Sequence, residues 1–300
     1  MSKKKLSAKK RFEKYEPYVW LLPTGILLLV MVFIPILQTV WLSLNDLSRA
    51  CLTKGFNSFA NYIKVLSDSV FWRVMFNTLV WTVLCVGLST LIGLILSLTL
   101  NTQFRGRKLA RAVLVFPWAT SLAIYAGMWK YIYDSNYGSL NALLEAMGLP
   151  AVNWLNNAYP WQMFMMMIAV AIMVTVPFVT FCLLSGLQGI SPDYYEAAAI
   201  DGAGRWKRFL HVTIPFLRPA LNTSTVLNVI YVFNSFPIVY EITQGAPAHQ
   251  TDTITTYMYY MGFKSFDYGT ATSVSVIGFV FLLAFSMVYM GLTLGKEVDD

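Results

Sequence analysis

The amino-acid sequence predicts an all-α protein that crosses a membrane six times. Hydrophobic residues make up 57% of the chain and charged residues only 12%, against roughly 25% charged in a soluble domain. The charges are also segregated. No Asp, Glu, Lys or Arg occurs from Pro17 to Asn45, Val74 to Phe104, Ala112 to Trp129, Ala146 to Pro192, Pro219 to Tyr240 or Tyr268 to Gly295. A helix needs roughly 20 apolar residues to cross a hydrocarbon core of about 30 Å, and each window holds one such segment.

In chain order, a basic tail at 1–18 leads into a six-helix transmembrane domain at 19–300. Spans are expected near 19–44, 74–100, 109–133, 162–186, 219–240 and 270–294. Trp20 to Leu44 is too long for a cleavable signal, whose apolar region runs to about 7–15 residues and ends at a small-residue site. It reads as an uncleaved first helix. Tyr131 to Tyr133 extend the third span, and Pro150, Asn153, Asn156, Asn157 and Pro160 make the first part of the Ala146 window a loop. Pro117 and Pro177 interrupt the third and fourth spans and Pro237 falls late in the fifth, each freeing a carbonyl that needs another partner in lipid. In the fifth span Asn228, Tyr231 and Ser235 fall at i, i+3 and i+7, one polar stripe that lines a cavity or joins helices.

Orientation follows from the basic residues flanking the spans. With the tail inside, Lys3, Lys4, Lys5, Lys9, Lys10, Arg11, Lys14, Arg105, Arg107, Lys108, Arg111, Arg205, Lys207, Arg208, Arg218 and Lys296 are cytoplasmic. Arg49, Lys54, Lys64, Arg73, Lys130 and Lys264 remain outside. Both termini are therefore expected in the cytoplasm. The same bias accounts for most of the net charge of +7 and removes it as a sign of nucleic-acid binding.

The long inner loop at 187–218 carries the most local information. Ser191 can cap a helix by accepting from an orphan backbone N–H, Pro192 suits the first helical position, and Asp193 suits the positive helix end. Glu196, Ala197, Ala198 and Ala199 favour helix, and Gly202 can supply the left-handed residue that stops it. A second short helix is expected from Arg205 to Thr213, before Pro215. The first helix has a small-residue face with Tyr194, Tyr195 and Ile200 beside it. So short a helix is marginal alone and needs a partner surface; lying on headgroups would use the basic residues but not Glu196 or the alanine face.

The run Glu196-Ala197-Ala198-Ala199-Ile200-Asp201-Gly202-Ala203-Gly204, followed by Ile214-Pro215, resembles the EAA loop of ABC-importer permeases. The resemblance extends over nearly the whole chain and is to the carbohydrate type, the maltose and glycerol-phosphate importer permeases. Asn61-Tyr62, Phe71, Asn77-Thr78-Leu79 and Asp267-Tyr268-Gly269-Thr270-Ala271 are similar to other stretches of that family. Thr243-Gln244-Gly245-Ala246-Pro247 resembles its T-x-G-G-P turn, with Ala246 in place of a glycine. The resemblance implies a type I importer permease fold in a bacterial cytoplasmic (inner) membrane. It implies a second, related permease as heterodimer partner, two ATP-binding cassette ATPase subunits, an extracytoplasmic solute-binding protein and a sugar or oligosaccharide substrate.

By the same resemblance the coupling helix docks in a cleft of an ATPase through Tyr195, Glu196, Ala197, Ala198, Asp201, Gly202 and Ala203. Glu196 would pair with a basic residue of the ATPase, and Asp201 would support the turn. The family's mid-membrane pocket matches Trp118, Thr175, Phe178, Asn228, Tyr231, Asn234 and Ser235. Aromatic faces and amides suit a sugar, whose C–H patches stack on rings while its hydroxyls need donors and acceptors.

No cofactor is expected in this chain. It has no G-x-x-x-x-G-K-[ST] phosphate loop, so ATP and Mg would be bound by the partner ATPases and this subunit would be non-catalytic. His211 and His249 are the only histidines and fit no metal or acid–base pattern. Cys51, Cys85 and Cys182 show no metal or disulfide spacing. The alternative from another class is an ion-coupled secondary transporter, which usually carries an intramembrane charge as its coupling site. No acidic residue falls within a predicted span. The solute remains open among a monosaccharide, an oligosaccharide, a uronate fragment and glycerol phosphate, with the lack of a cation in the spans pointing to a neutral sugar.

Overall fold

A computed structural model describes the backbone of residues 2–297 and the side chains of residues 15–291 and 293. The basic side chains of the tail and Lys296 therefore lie outside the described side chains. Helix α1 (Ser2–Leu28) passes through a π-helical turn (Leu29–Phe33) into α2 (Ile34–Ser43). Helix thus begins at Ser2, so the tail is continuous with the first span; its Lys, Arg, Glu and Ala residues are good helix formers. Pro35 has no N–H for the carbonyl four residues back and its ring crowds that carbonyl, which the wider π turn accommodates. A bulged antiparallel hairpin, β1 (Asn45–Leu47) and β2 (Thr53–Phe56), follows. It is a small departure from the all-α expectation, in a segment too polar to span.

Helices α3 (Ala60–Ser67) and α4 (Ser69–Asn101) come next. Asp68 caps α4 by accepting from the Val70 N–H at 2.8 Å. The third predicted span is broken into α5 (Arg107–Ala119) and α6 (Leu122–Ile132), bent by 98°. Thr120 and Ser121 between them are extended. Pro117 itself stays inside α5; the break comes three residues later. Helix α7 (Ser139–Ala146) lies in the following loop, and α8 (Pro160–Gln188) is the fourth predicted span.

Helices α9 (Pro192–Ile200) and α10 (Arg205–Arg208) form the loop expected on the inner side. From α10 the chain does not turn again: a π-helical segment (Phe209–Thr213) carries it into α11 (Ile214–Phe233). Pro215 was expected to separate a short helix from the span, but the π turn absorbs it as the first one absorbs Pro35. Helices α12 (Pro237–Ile242) and α13 (Ile254–Tyr259), a third π segment (Tyr260–Lys264) and α14 (Tyr268–Glu297) complete the chain. Five helices among the described residues are long and apolar enough to cross a membrane, or six if the bent pair is one span.

Two compact units are distinguished: 1–65 with 261–277, and 66–260 with 278–300. In the first, Asn61 Nδ2 donates to the carbonyls of Ser43 at 2.9 Å and Asn45 at 3.0 Å, and the Tyr62 hydroxyl lies 2.6 Å from Ser43 Oγ. A Cβ at Gly269 would fall 2.8 Å from Asn61 Oδ1. Lys64 pairs with Asp267. Asn61, Tyr62, Asp267 and Gly269 belong to the family-like stretches and act here as braces.

The core of the second unit lies where α4, α8 and α11 pack. Trp81, Phe164, Met167, Val170, Val174 and Val232 are buried together, and Trp81 Nε1 donates to the Val232 carbonyl at 3.0 Å. Small residues permit the close approach that joins helices in lipid: a Cβ at Gly186 would meet that of Ala220 at 2.7 Å. The turn after α12 is held by Asn77, which donates to the carbonyls of Gln250 at 2.9 Å and Asp252 at 3.1 Å. Thr78 Oγ1 accepts from the Ile254 N–H at 2.9 Å.

Candidate functional site

Three helices bring side chains to a cavity of about 290 Å³ lined by Trp118, Thr175, Phe178, Leu227, Asn228 and Tyr231. Trp118 sits near the end of α5, close to the break. Thr175 and Phe178 lie one turn apart on α8, and Leu227, Asn228 and Tyr231 share one turn of α11. Rings and aliphatic carbons make most of the wall, and no charged side chain lines it. Its two buried polar groups are Thr175 and Asn228. The Thr175 hydroxyl donates back to the Ala171 carbonyl at 2.9 Å, which leaves its oxygen lone pairs as acceptors. Asn228 Nδ2 donates to Ser89 Oγ on α4 at 2.8 Å, and Asn228 Oδ1 is buried without a partner among the described residues. A burial of this kind is costly unless something completes it.

Five of the seven residues expected at the pocket meet at this cavity; Asn234 and Ser235 do not. The expected stripe needed an unbroken helix through Ser235, but α11 ends at Phe233. Pro237 cannot bond the Phe233 carbonyl, and the helix restarts only there. Asn234 Nδ2 turns back to the Ile230 carbonyl at 2.8 Å. Ser235 is buried beside the break, with its Oγ unpartnered among the described residues. Leu227 and Ser89 were missed. Leu227 looks like any span leucine, and Ser89 gives no signal in sequence because its role depends on α4 lying against α11.

Helix α9, the expected coupling helix, is built by local chemistry. Ser191 Oγ accepts from the Asp193 N–H at 3.3 Å. Asp201 is the C-cap and its N–H donates to the Ala197 carbonyl at 3.1 Å. Gly202 has φ +76°, and the Ala203 N–H reaches the Ala198 carbonyl at 2.9 Å, the paired closure of a Schellman motif. Glu196 and Ala197 are exposed and Ala198 half-buried. The Tyr195 hydroxyl lies 3.2 Å from Thr213 Oγ1, and the Tyr194 and Phe216 rings are 4.5 Å apart. Through these two contacts α9 is fastened to the start of α11, the helix that carries Asn228 and Tyr231.

Known proteins resemble this chain in sequence and in fold. The chain is 38% identical over 283 residues, 94% of its length and 97% of the relative's, to a probable ABC transporter permease protein of Brucella abortus. It is 36% identical over 276 residues, 91% of this chain and 92% of the other, to the trehalose/maltose transport system permease protein MalF of Thermococcus litoralis. The diacetylchitobiose uptake system permease protein DasB of Streptomyces coelicolor is 29% identical over 291 residues, 95% of this chain and 88% of that one. In fold, a chain of a bacterial ABC transporter involved in the import of the acidic polysaccharide alginate aligns with TM-score 0.82 at 22% identity, covering 96% of this chain and 98% of that chain. Residues 89–294 match the family described as binding-protein-dependent transport system inner membrane component. With more than half of its length in that match, the chain belongs to the inner-membrane permeases of binding-protein-dependent ABC importers.

Proposed function

We propose that this permease passes a neutral sugar or oligosaccharide through the cavity at Trp118, Thr175, Phe178, Asn228 and Tyr231. The observation that carries this reading is an aromatic, uncharged cavity with one unsatisfied buried amide oxygen. Ring faces can stack on sugar C–H patches, and the Asn228 oxygen can accept from a hydroxyl. A uronate or phosphate would call for a cation, which the cavity lacks. MalF and DasB, named for trehalose/maltose and diacetylchitobiose, lie on the same side of that distinction. The alginate transporter is named for an acidic polysaccharide, and its likeness supports only the fold.

In the same reading the bent pair α5–α6 counts as the third of six spans, both termini are cytoplasmic, and a second, unlike permease supplies the facing wall. Two ATPase subunits bind ATP and Mg, and an external binding protein delivers the solute. Helix α9, with Tyr195, Glu196, Ala197, Ala198, Asp201, Gly202 and Ala203, receives the motion of an ATPase. Thr213 lies about 22 Å along the helix from Asn228, so a displacement of α9 is passed up one continuous rod to the cavity. An ion-coupled mechanism finds no support in a cavity without a titratable carboxylate or amine.

The test is purification from the native host in detergent, with subunits identified by mass spectrometry. Recovery of an ATPase carrying a phosphate loop and a second permease is the expected result. A chain that purifies alone, under conditions that keep a known importer intact, would overturn the assembly.

A further inference from the structure

A second cavity, of about 620 Å³, opens where α4, α5, α8, α9 and α10 meet. Its polar lining is Asn101, Gln103, Arg107, Gln188, Glu196 and Arg208. Both arginines are half-buried, and the Nε of each, enclosed by protein, has no hydrogen-bond partner among the described residues. Two guanidinium groups line one cavity and neither pairs with a carboxylate among the described residues, an arrangement that an anion completes. Glu196, the one carboxylate in the lining, is exposed and forms no ion pair with either among the described residues. Asn101, Gln103 and Gln188 add neutral amide donors.

We propose that this cavity binds a phosphate-bearing anion, the headgroup of an anionic phospholipid. The planar fork of arginine matches phosphate oxygens two at a time, and basic pockets between spans on the cytoplasmic side recognise such headgroups. That this end is cytoplasmic rests on the orientation given above. The lipid source is favoured over free phosphate by the surroundings. Leu109 on α5, and Trp206 and Leu210 beside Arg208, are exposed, as expected of side chains that sit at the boundary of headgroups and acyl chains. Because Tyr195, Glu196 and Ala199 share the cavity wall, an occupied site also fixes α9 against the ends of α4 and α8. The lipid then sets how firmly the coupling helix is seated.

The experiment is native mass spectrometry of the full-length chain purified in detergent, offered phosphatidylglycerol or phosphatidylcholine with and without millimolar inorganic phosphate. Selective retention of phosphatidylglycerol is expected, with occupancy falling by about tenfold in R208Q and further in R107Q/R208Q. R107K/R208K keeps the charge but not the fork and should retain an intermediate amount, which guards against loss through misfolding. R49Q removes a charge from outside the cavity and should leave retention unchanged. Displacement by inorganic phosphate supports the anion site with a soluble source; resistance to it supports the headgroup. Equal retention of both lipids, or retention untouched by R107Q/R208Q, overturns the proposal. So does release of the lipid when an ATPase partner is added, which would give the cavity to an acidic side chain of that partner. Lipid retention is read without transport, so it can fail while the importer reading stands.

Discussion

Asn228 on α11 donates through Nδ2 to Ser89 Oγ on α4 at 2.8 Å, while its Oδ1 has no partner among the described residues. One amide therefore braces two helices beside the cavity and keeps an acceptor that no described residue satisfies. Asn228→Ala should lower uptake by about tenfold, the value of one hydrogen bond lost from brace or ligand at roughly 1.4 kcal/mol. Co-purifying subunits should remain. Uptake kinetics in cells paired with a pull-down would check this, and unchanged transport would move the solute elsewhere.

Tyr231 is partly open at the cavity wall, 40% exposed. Tyr231→Ala removes a ring face and should raise the apparent KM for uptake by about tenfold, as expected for an aromatic anchor. Tyr231→Phe keeps the ring and should stay within a few-fold of wild type. Equal losses in both variants would assign the effect to the hydroxyl and not to stacking.

For the proposed coupling helix, Glu196→Ala should cut ATP-driven uptake by about tenfold or more, the usual consequence of leaving a partner's charge unpaired. A cysteine at Ala198 should crosslink to the cleft of a co-expressed ATPase. A complete absence of crosslinked product, with the complex otherwise assembled, would count against docking through this face.

Gly245 sits in the turn after α12 at φ +80°, where an added Cβ would fall 2.3 Å from Asp252 Oδ1. Gly245→Ala should destabilise the protein by roughly 2–4 kcal/mol, combining the left-handed backbone penalty with the overlap. Thermal unfolding in detergent would show it. Ala246→Gly, which introduces no overlap, should change stability far less.

Two loop carboxylates predict opposite pH effects. Burial raises Asp252 above its ordinary value of 3.8, although Thr256 and His249 pull it down. Its contribution is therefore fully present below pH 3.8 and is lost as pH rises through the raised value. For Asp267, burial works upward but the bonds from Lys64 and Thr270 outweigh it and hold the carboxyl below 3.8. Its contribution is present above pH 3.8 and is lost as pH falls through the lowered value. D252N should thus flatten a decline on the rising side, and D267N a decline on the falling side. Melting temperatures measured across that acid range would check both signs.

Helix α9 was legible because its instructions are local: Ser191, Pro192 and Gly202 each act within a turn of their own position. The cavity residues on α8 and α11 were also legible, since polar and aromatic groups stand out in an apolar span. Ser235 was misplaced because a stripe read at i, i+3 and i+7 assumes an unbroken helix, and Pro237 ends that assumption. Pro117 signalled an interruption of the third span, but neither the place nor the angle of the 98° bend at Thr120–Ser121 could be read from it. The partner role of Ser89 depends on which helices lie side by side. The family-like stretches at Asn61-Tyr62 and Asn77-Thr78 were recognisable as patterns, but only the fold explains them as side chains that hold loops by their backbones.

The π segment at Phe209–Thr213 is more than a way past Pro215. A π bulge amounts to one inserted residue, and one residue is about 100° of helix rotation. It therefore acts as an angular offset between α10, which carries Arg208, and α11, which carries Phe216, Asn228 and Tyr231. Removing a single residue there would leave Phe216, Asn228 and Tyr231 in phase with one another and turn α10 and its Arg208 about the helix axis. The chain thus carries a phase setting between the cavity that Arg208 lines and the cavity that Asn228 lines, written in the length of five residues.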